Sequence, residues 1–344
     1  MRIADFDYAL PPSSIAQEAI EPRDRARLMR LPRAEGAPTD HVFHDLPGLL
    51  RPGDLLVVNR SRVFPARLLG RREGGGGAEV FLLRDLGDDR WEALVRPGRR
   101  LRPGAAVAID PGLTVVIETA AVGPEGRRVV HLRAEAGSVE AALERAGHVP
   151  LPPYIRRPDR PEDRARYQTV YARERGSVAA PTAGLHFTPS LLDALRAAGV
   201  GIAEIVLHVG PGTFRPVTAE EVEDHRLEPE PYVIPAETAE AIASARTSGG
   251  RVVAVGTTVV RALEAAAGDE GTVRAGTGET ALVVRPGFTF RITDALVTNF
   301  HLPRSSLLLL VAAFAGRERV LGAYGEAVQR GYRFYSYGDA MLLE

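Results

Sequence analysis

Three histidines occupy comparable places in the chain. His186 lies in Ala180-Pro181-Thr182-Ala183-Gly184-Leu185-His186-Phe187, His208 in Leu207-His208-Val209-Gly210-Pro211-Gly212-Thr213-Phe214, and His301 in Thr298-Asn299-Phe300-His301-Leu302-Pro303. An imidazole titrates near pH 6.5, so each can carry a proton at neutral pH. A fourth stretch, Gly256-Thr257-Thr258, has Arg261 four residues after Thr257. Hydroxyls, a cation and the free N–H groups of a starting helix suit a carboxylate or a phosphate. Asparagine occurs only at Asn59 and Asn299. An amide offers both a donor and an acceptor. Thr182, Ala183, Gly184, Gly210, Gly212 and Thr213 complete the small, bendable surroundings that leave room for a flat ligand. Taken singly, each histidine also reads as a hydrogen-bonded residue at a strand end, and Gly256-Thr257-Thr258 as a plain helix cap. Three such histidines on three loops argue for one shared site.

Several chemistries are disfavoured. No HExxH and no close histidine pair exists, and His131 and His225 stand alone, so no metal is expected. Gly74 to Gly77 lacks the Lys-Ser/Thr of a phosphate-binding loop, and all 43 basic residues are arginine. No G-x-G-x-x-G opens a βαβ unit, which disfavours an ordinary dinucleotide or methyltransferase site. Cysteine is absent, which removes disulfides and thiolate chemistry and fits a cytoplasmic protein. Met1-Arg2-Ile3-Ala4-Asp5-Phe6-Asp7 has no signal-peptide character. The longest apolar run, Leu307 to Phe314, is far below the ~20 residues that cross a bilayer, so no membrane partner is expected. The net charge of −1 neither demands nor forbids nucleic acid.

The elements that must position these loops change character along the chain. Asp54-Leu55-Leu56-Val57-Val58 is a short apolar strand ending at Asn59. From about 62 to 150, short strands alternate with Gly/Pro turns: Ala66–Leu69, Ala78–Leu83, Trp91–Val95, Ala105–Ile109, Thr114–Glu118 and Arg128–Arg133. That spacing predicts a small all-β barrel, closed by a helix over Val139–Ala146 with Gly147 as its C-cap. Pro150-Leu151-Pro152-Pro153-Tyr154 is a stiff connector. After it the chain reads α/β. A helix starts at Thr188-Pro189 and a strand covers Ile202–Val209. A capping box at Thr218 and Glu221 predicts a further helix. The expected fold is an α/β main domain (residues 1–60 and 151–344) with an inserted all-β barrel-like domain (residues 61–150).

Two arginine clusters flank this insertion. Arg96, Arg99 and Arg100 sit on a loop of the β block, and Arg156 and Arg157 follow the proline connector beside Tyr154, Tyr167 and Tyr171. Guanidinium forks grip phosphate and tyrosine faces stack on bases. Asp159, Glu162 and Asp163 interleave the second cluster, so a salt-bridged solvated face is the plain alternative.

These blocks, taken in order, resemble the S-adenosylmethionine:tRNA ribosyltransferase-isomerases of queuosine biosynthesis, nearly end to end. The likeness is carried by Asp5–Pro11, by Pro52–Val57 with Asn59, Arg62, Val63, Pro65, Ala66 and Arg67, by Gly147–Ile155 and Tyr167–Tyr171, by Val178–Phe187 and Leu207–Phe214, by Gly256–Thr258 with Arg261, and by Leu296–Pro303 and Phe334–Met341. Departures are Arg60 after Asn59, Pro211 between the two glycines, and Glu228 where a second histidine often follows His225. The resemblance implies the same discontinuous fold and an unusual reaction. The ribosyl part of S-adenosylmethionine joins the aminomethyl group of a 7-deazaguanine base at the tRNA wobble position, adenine and methionine leave, and epoxyqueuosine forms. It implies tRNA and S-adenosylmethionine as partners, no cofactor beyond the consumed S-adenosylmethionine, and a monomer. Within it, His186, His208 and His301 are expected to include the base and the adenine-side acid. Asn59 and Asn299 are expected to read base edges, and Arg62 and Asp339 join the substrate-binding set, Asp339 facing a cationic end. A non-catalytic RNA-binding protein and a conventional RNA methyltransferase are the competing readings.

Overall fold

The computed structural model describes the chain except Pro111, Pro124, Pro211, residues 213–216, Asp269 and Glu270, and the side chain of Asp110. The elements, in chain order, are β1 (Arg27–Leu31), β2 (Thr39–Val42), α1 (Leu46–Leu49), β3 (Leu55–Asn59), β4 (Ser61–Val63), β5 (Arg67–Arg72), β6 (Gly77–Gly87), β7 (Arg90–Arg96), β8 (Ala106–Asp110), β9 (Leu113–Ile117), β10 (Arg128–Ala134), α2 (Val139–Ala146), α3 (Asp163–Arg166), β11 (Glu174–Ser177), α4 (Pro189–Ala197), β12 (Gly201–Leu207), β13 (Glu230–Ile234), α5 (Ala236–Thr247), β14 (Val252–Val255), α6 (Thr257–Ala265), β15 (Gly276–Thr280), β16 (Ala295–Asn299), α7 (Ser306–Ala315), α8 (Arg317–Gln329) and β17 (Ala340–Leu343).

Two hydrophobic patterns produce two kinds of sheet. Continuous apolar runs form the centre of a nine-stranded sheet ordered β15-β13-β12-β3-β14-β16-β17-β1-β2. Its core strands β12, β3, β14 and β16 are mutually parallel. Strands β3, β14 and β16 are buried along their whole length, because helices cover both faces. On one face, Val57, Ile205, Ala254 and Leu296 pack against α6, α7 and α8. On the other, Val58, Val253 and Val297 pack against Phe43, Phe187 and the Leu191, Leu192 and Leu195 stripe of α4. Thr188 caps α4 by accepting the Leu191 N–H, as the sequence predicts.

Alternating runs form the second sheet. Strands β7, β9 and β10 bury every other residue, and β10-β7-β6-β5-β8-β9 close into a barrel filled by Val80, Leu82, Trp91, Val115, Ile117 and Val130. The fold is thus an α/β sheet domain carrying a β-barrel, with the barrel strands all between Arg67 and Ala134. α2 closes it with Val139, Ala142 and Leu143. Gly147 caps α2 in extended rather than left-handed backbone (φ −78°); glycine is required there because a Cβ would lie 2.3 Å from the Pro65 carbonyl oxygen.

Two local expectations are corrected. The Thr218 and Glu221 capping box starts no α-helix. Glu221 and Glu223 instead hold the Met1 ammonium at 2.9 Å, and the chain makes only a 3-10 turn at Val222–Asp224. The strand expected to reach Val209 stops at Leu207, which leaves His208 on the loop beyond it.

Candidate active site at the strand ends

Strands β12, β3, β14 and β16 end on one edge of the sheet, at Leu207, Asn59, Val255 and Asn299. The segment Ala180–Phe187 crosses this edge as a 3-10 turn over Thr182–His186. Thr182 Oγ1 donates to Asn299 Oδ1 at 2.9 Å, and Asn299 Nδ2 donates to the Tyr335 carbonyl at 3.1 Å. Asn299 therefore clamps two segments together. Tyr335 is buried with φ +75°, a conformation that costs a bulky residue energy and marks a constrained position. Gly184 brings the backbone against Tyr171, whose hydroxyl would lie 2.2 Å from any added Cβ. Ala183 packs beside Gly256.

Gly256, at φ +89°, turns β14 into α6. The N–H groups of Thr257 and Thr258 open that helix and have no intrahelical acceptor. Thr258 is 6% exposed, and its Oγ1 has no hydrogen-bond partner among the described residues. A buried hydroxyl and two backbone donors beside a tight glycine turn can receive a small anion.

Arg261 does not join them as a free cation. Its guanidinium forms a buried ion pair with Glu230 and donates to the carbonyls of Leu282 (3.0 Å) and Thr280 (3.2 Å). Glu230 in turn accepts the Gly210 N–H at 2.8 Å. Arg261 thereby holds the backbone at Gly210, two residues past His208, through Glu230. Among the described residues nothing lies within 4 Å of a Cβ built on Gly212, and Thr213 lies outside them.

The structure does not gather the three imidazoles into one cluster. Three strand spacings separate the end of β12 from that of β16, about 14 Å. His186 is buried, stacks on Phe43, and has its ring nitrogens against the Ala183 (3.1 Å) and Gly338 (2.9 Å) carbonyls. Burial lowers its pKa, against the raising effect of those carbonyls. His301 lies towards the other sheet face with its Nε2 2.8 Å from Thr298 Oγ1, and its backbone is held by the Tyr8 and Tyr324 hydroxyls. Burial pushes its pKa down to about 3. His208 differs from both. Its ring is half-buried against Gly176, Nδ1 has no hydrogen-bond partner among the described residues, and burial lowers its pKa while the Glu174 charge opposes the shift.

Asn59 and Asp339 are committed to their own backbone. Asn59 Nδ2 donates to the Leu207 carbonyl, and Oδ1 accepts the N–H groups of Ser61 and Leu207. That amide ties β3 to β12 and leaves little capacity for a base edge. Asp339 accepts the Arg27 and Arg333 N–H groups on its two oxygens, so it organises the turn beside Asn299 rather than presenting a bare carboxylate. Arg62 is exposed on β4 with no ion-pair partner among the described residues.

The two arginine clusters meet across a cleft of about 760 Å³ between the barrel and the proline connector. Arg96 lines it from the barrel, Arg156 and Arg157 from the connector, and Val178 and Ala179 form the wall that leads into the strand-end loop. Arg99 and Arg100 are exposed on the barrel loop beyond β7. Arg157 is bound by Asp163 at 2.7 and 2.8 Å and is unavailable as a free fork. The sequence reading missed Glu230 and Tyr335 at the strand ends and, in this cleft, the pair His148–Asp159. Glu230 and Tyr335 carry no local signal. His148 and Asp159 bracket the proline connector, and that bracketing was the available clue.

Comparison with known proteins agrees with this arrangement. Residues 3–343 match the family model described as queuosine biosynthesis protein. The chain is 53% identical over 345 residues to S-adenosylmethionine:tRNA ribosyltransferase-isomerase of Heliobacterium modesticaldum, covering 100% of both chains. It is 54% identical over 344 residues to the protein of the same name from Moorella thermoacetica, again covering 100% of both. It also resembles the crystal structure of S-adenosylmethionine tRNA ribosyltransferase from Thermotoga maritima, with 39% identity, a TM-score of 0.57, and coverage of 99% of this chain and 100% of that one.

Proposed function

We infer the chemistry from one premise: this chain belongs to the queuosine biosynthesis protein family. It transfers and isomerises the ribosyl moiety of S-adenosylmethionine onto the 7-aminomethyl-7-deazaguanine base at the tRNA wobble position, giving epoxyqueuosine-tRNA, adenine and methionine. The observation that carries this is likeness above half identity along the whole chain to relatives named for that activity. Product analysis tests it. Free adenine and methionine are expected from the purified protein with precursor tRNA; S-adenosylhomocysteine would mean methyl transfer, and no turnover would mean a binding protein.

The sulfonium acidifies the neighbouring C5′ hydrogens, so a positioned base can remove one. His208 takes this role in our reading, being the one of the three imidazoles with no ring hydrogen bond among the described residues. His186 and His301 hold the strand-end loops through their ring contacts, so they act as positioning groups. Thr257 and Thr258 receive the methionine carboxylate at the α6 N-terminus. Thr182, Ala183, Gly184, Gly210, Gly212, Thr213 and Asn299 shape the nucleoside pocket. Asn59, Arg261 and Asp339 support it from behind. S-adenosylmethionine enters as a consumed substrate with no separate cofactor or metal, and the enzyme works as a cytoplasmic monomer. Among the described residues no helix is long and apolar enough to cross a membrane.

The tRNA lies over the barrel-side cleft, its phosphates on Arg62, Arg96, Arg99, Arg100 and Arg156. Replacing Arg96 and Arg156 together with alanine should weaken tRNA binding and flatten the plot of log affinity against log salt by about one unit for each phosphate no longer gripped. An unchanged slope removes both from the interface. Arg157→Ala should act mainly on stability, because it leaves the buried Asp163 without its guanidinium.

A further inference from the structure

The barrel-side cleft holds a titratable pair that the strand-end chemistry leaves unused. His148 Nδ1 lies 2.9 Å from Asp159 Oδ1 and 3.2 Å from Oδ2. Asp159 Oδ2 also accepts the Val149 N–H at 3.1 Å, so the connector backbone holds the carboxylate. His148 is clamped to β5 by backbone hydrogen bonds in both directions with Arg67, at 2.8 and 3.3 Å. Its side chain is 40% exposed and forms part of the cleft wall. A neutral imidazole that donates Nδ1–H to a carboxylate keeps its Nε2 lone pair for an incoming group. Among the described residues nothing hydrogen-bonds to that Nε2.

The charges around the ring are defined on every side. Asp159 faces it from the connector. Arg67 of β5 is paired with Glu79 of β6 at 3.0 Å. Arg164 of α3 donates to the Gly147 carbonyl at 2.5 Å. Arg96 and Arg156 line the same cleft without ion-pair partners among the described residues. These last two favour loss of a proton from any cationic amine brought between them.

We propose that His148, oriented by Asp159, accepts the proton that the substrate aminomethyl group must lose before it attacks the ribosyl carbon. The proposal rests on the function stated above. The substrate ammonium gives one proton to Nε2. The electrons of the broken N–H bond remain on the substrate nitrogen as the lone pair that forms the new C–N bond. The ring becomes an imidazolium balanced by the Asp159 carboxylate, and it returns that proton to water after turnover. Two bases then divide the work: His208 acts on the S-adenosylmethionine side and His148 on the RNA side.

The test is single-turnover formation of the modified base by wild type, His148→Ala, His148→Gln and Asp159→Asn between about pH 6 and 9, with adenine release and tRNA affinity measured alongside. Both His148 variants should be about 100-fold slower at neutral pH with tRNA affinity retained. The deficit should shrink as the pH approaches the amine's own pKa, because solvent then supplies the neutral amine. Added imidazole should restore part of the His148→Ala rate, and Asp159→Asn should show an intermediate loss. A deficit constant with pH and insensitive to imidazole overturns the proposal. So do rates within about threefold of wild type, or lost tRNA affinity with an unchanged saturated rate. His148→Gln keeps the polarity of the site and serves if the alanine variant does not fold. A wild-type chain that releases neither adenine nor methionine would refute the function itself, so the two failures are distinguishable.

Discussion

A His208→Ala variant should release adenine about 10³-fold more slowly than wild type under single-turnover conditions, with little change in tRNA affinity. The ring is active as a base when neutral. Burial lowers its pKa below the ordinary 6.5, with the Glu174 charge partly opposing. The acidic limb of the wild-type rate profile should therefore lie below pH 6.5, with a flat rate through neutral pH. In His208→Ala that limb should vanish. A limb that persists unchanged in the variant, or a rate within about threefold of wild type, assigns the proton to another group. His301, held neutral through the whole range by a pKa near 3, should contribute no limb above that pH.

The second large effect concerns Arg261. Arg261→Met should cost about 3–5 kcal/mol in denaturant unfolding, because it removes the guanidinium that balances the buried Glu230 carboxylate. The double variant Arg261→Met with Glu230→Leu should recover much of that stability, since exchanging a whole buried pair for apolar groups is often neutral. Activity should not return with it. Glu230 holds the Gly210 N–H, so the backbone two residues past His208 loses its anchor in the double variant as well. Full activity in a stable double variant would show that this network matters to folding alone. Equal stability losses in the single and double variants would show that the ion pair is not the source of the cost.

The barrel was legible in the chain because antiparallel strands that bury one side must alternate, and turn chemistry marks where each ends. All six expected strands correspond to β5–β10, and the closing helix Val139–Ala146 has the expected limits. The central strands were legible for the opposite reason: Leu55–Asn59 and Val252–Val255 are apolar on both sides and must be covered on both. Edge strands such as β2 and β15 are polar, half-exposed and set by their neighbours, so nothing local announces them.

The residue types of the site were also legible. Histidines, glycines and asparagines at strand ends lie along one edge of the sheet. What each of them does was decided elsewhere in the chain. His186 and His301 look alike in sequence to His208, yet carbonyls and a threonine hydroxyl engage their rings, while the His208 ring has no hydrogen bond among the described residues. Arg261 reads as an anion-binding cation until Glu230, 31 residues away, is found against it. Local pattern governs which segments become strands, helices and turns, because those depend on neighbours in the chain. The availability of a polar group depends on who reaches it through space, and only the packed fold determines that.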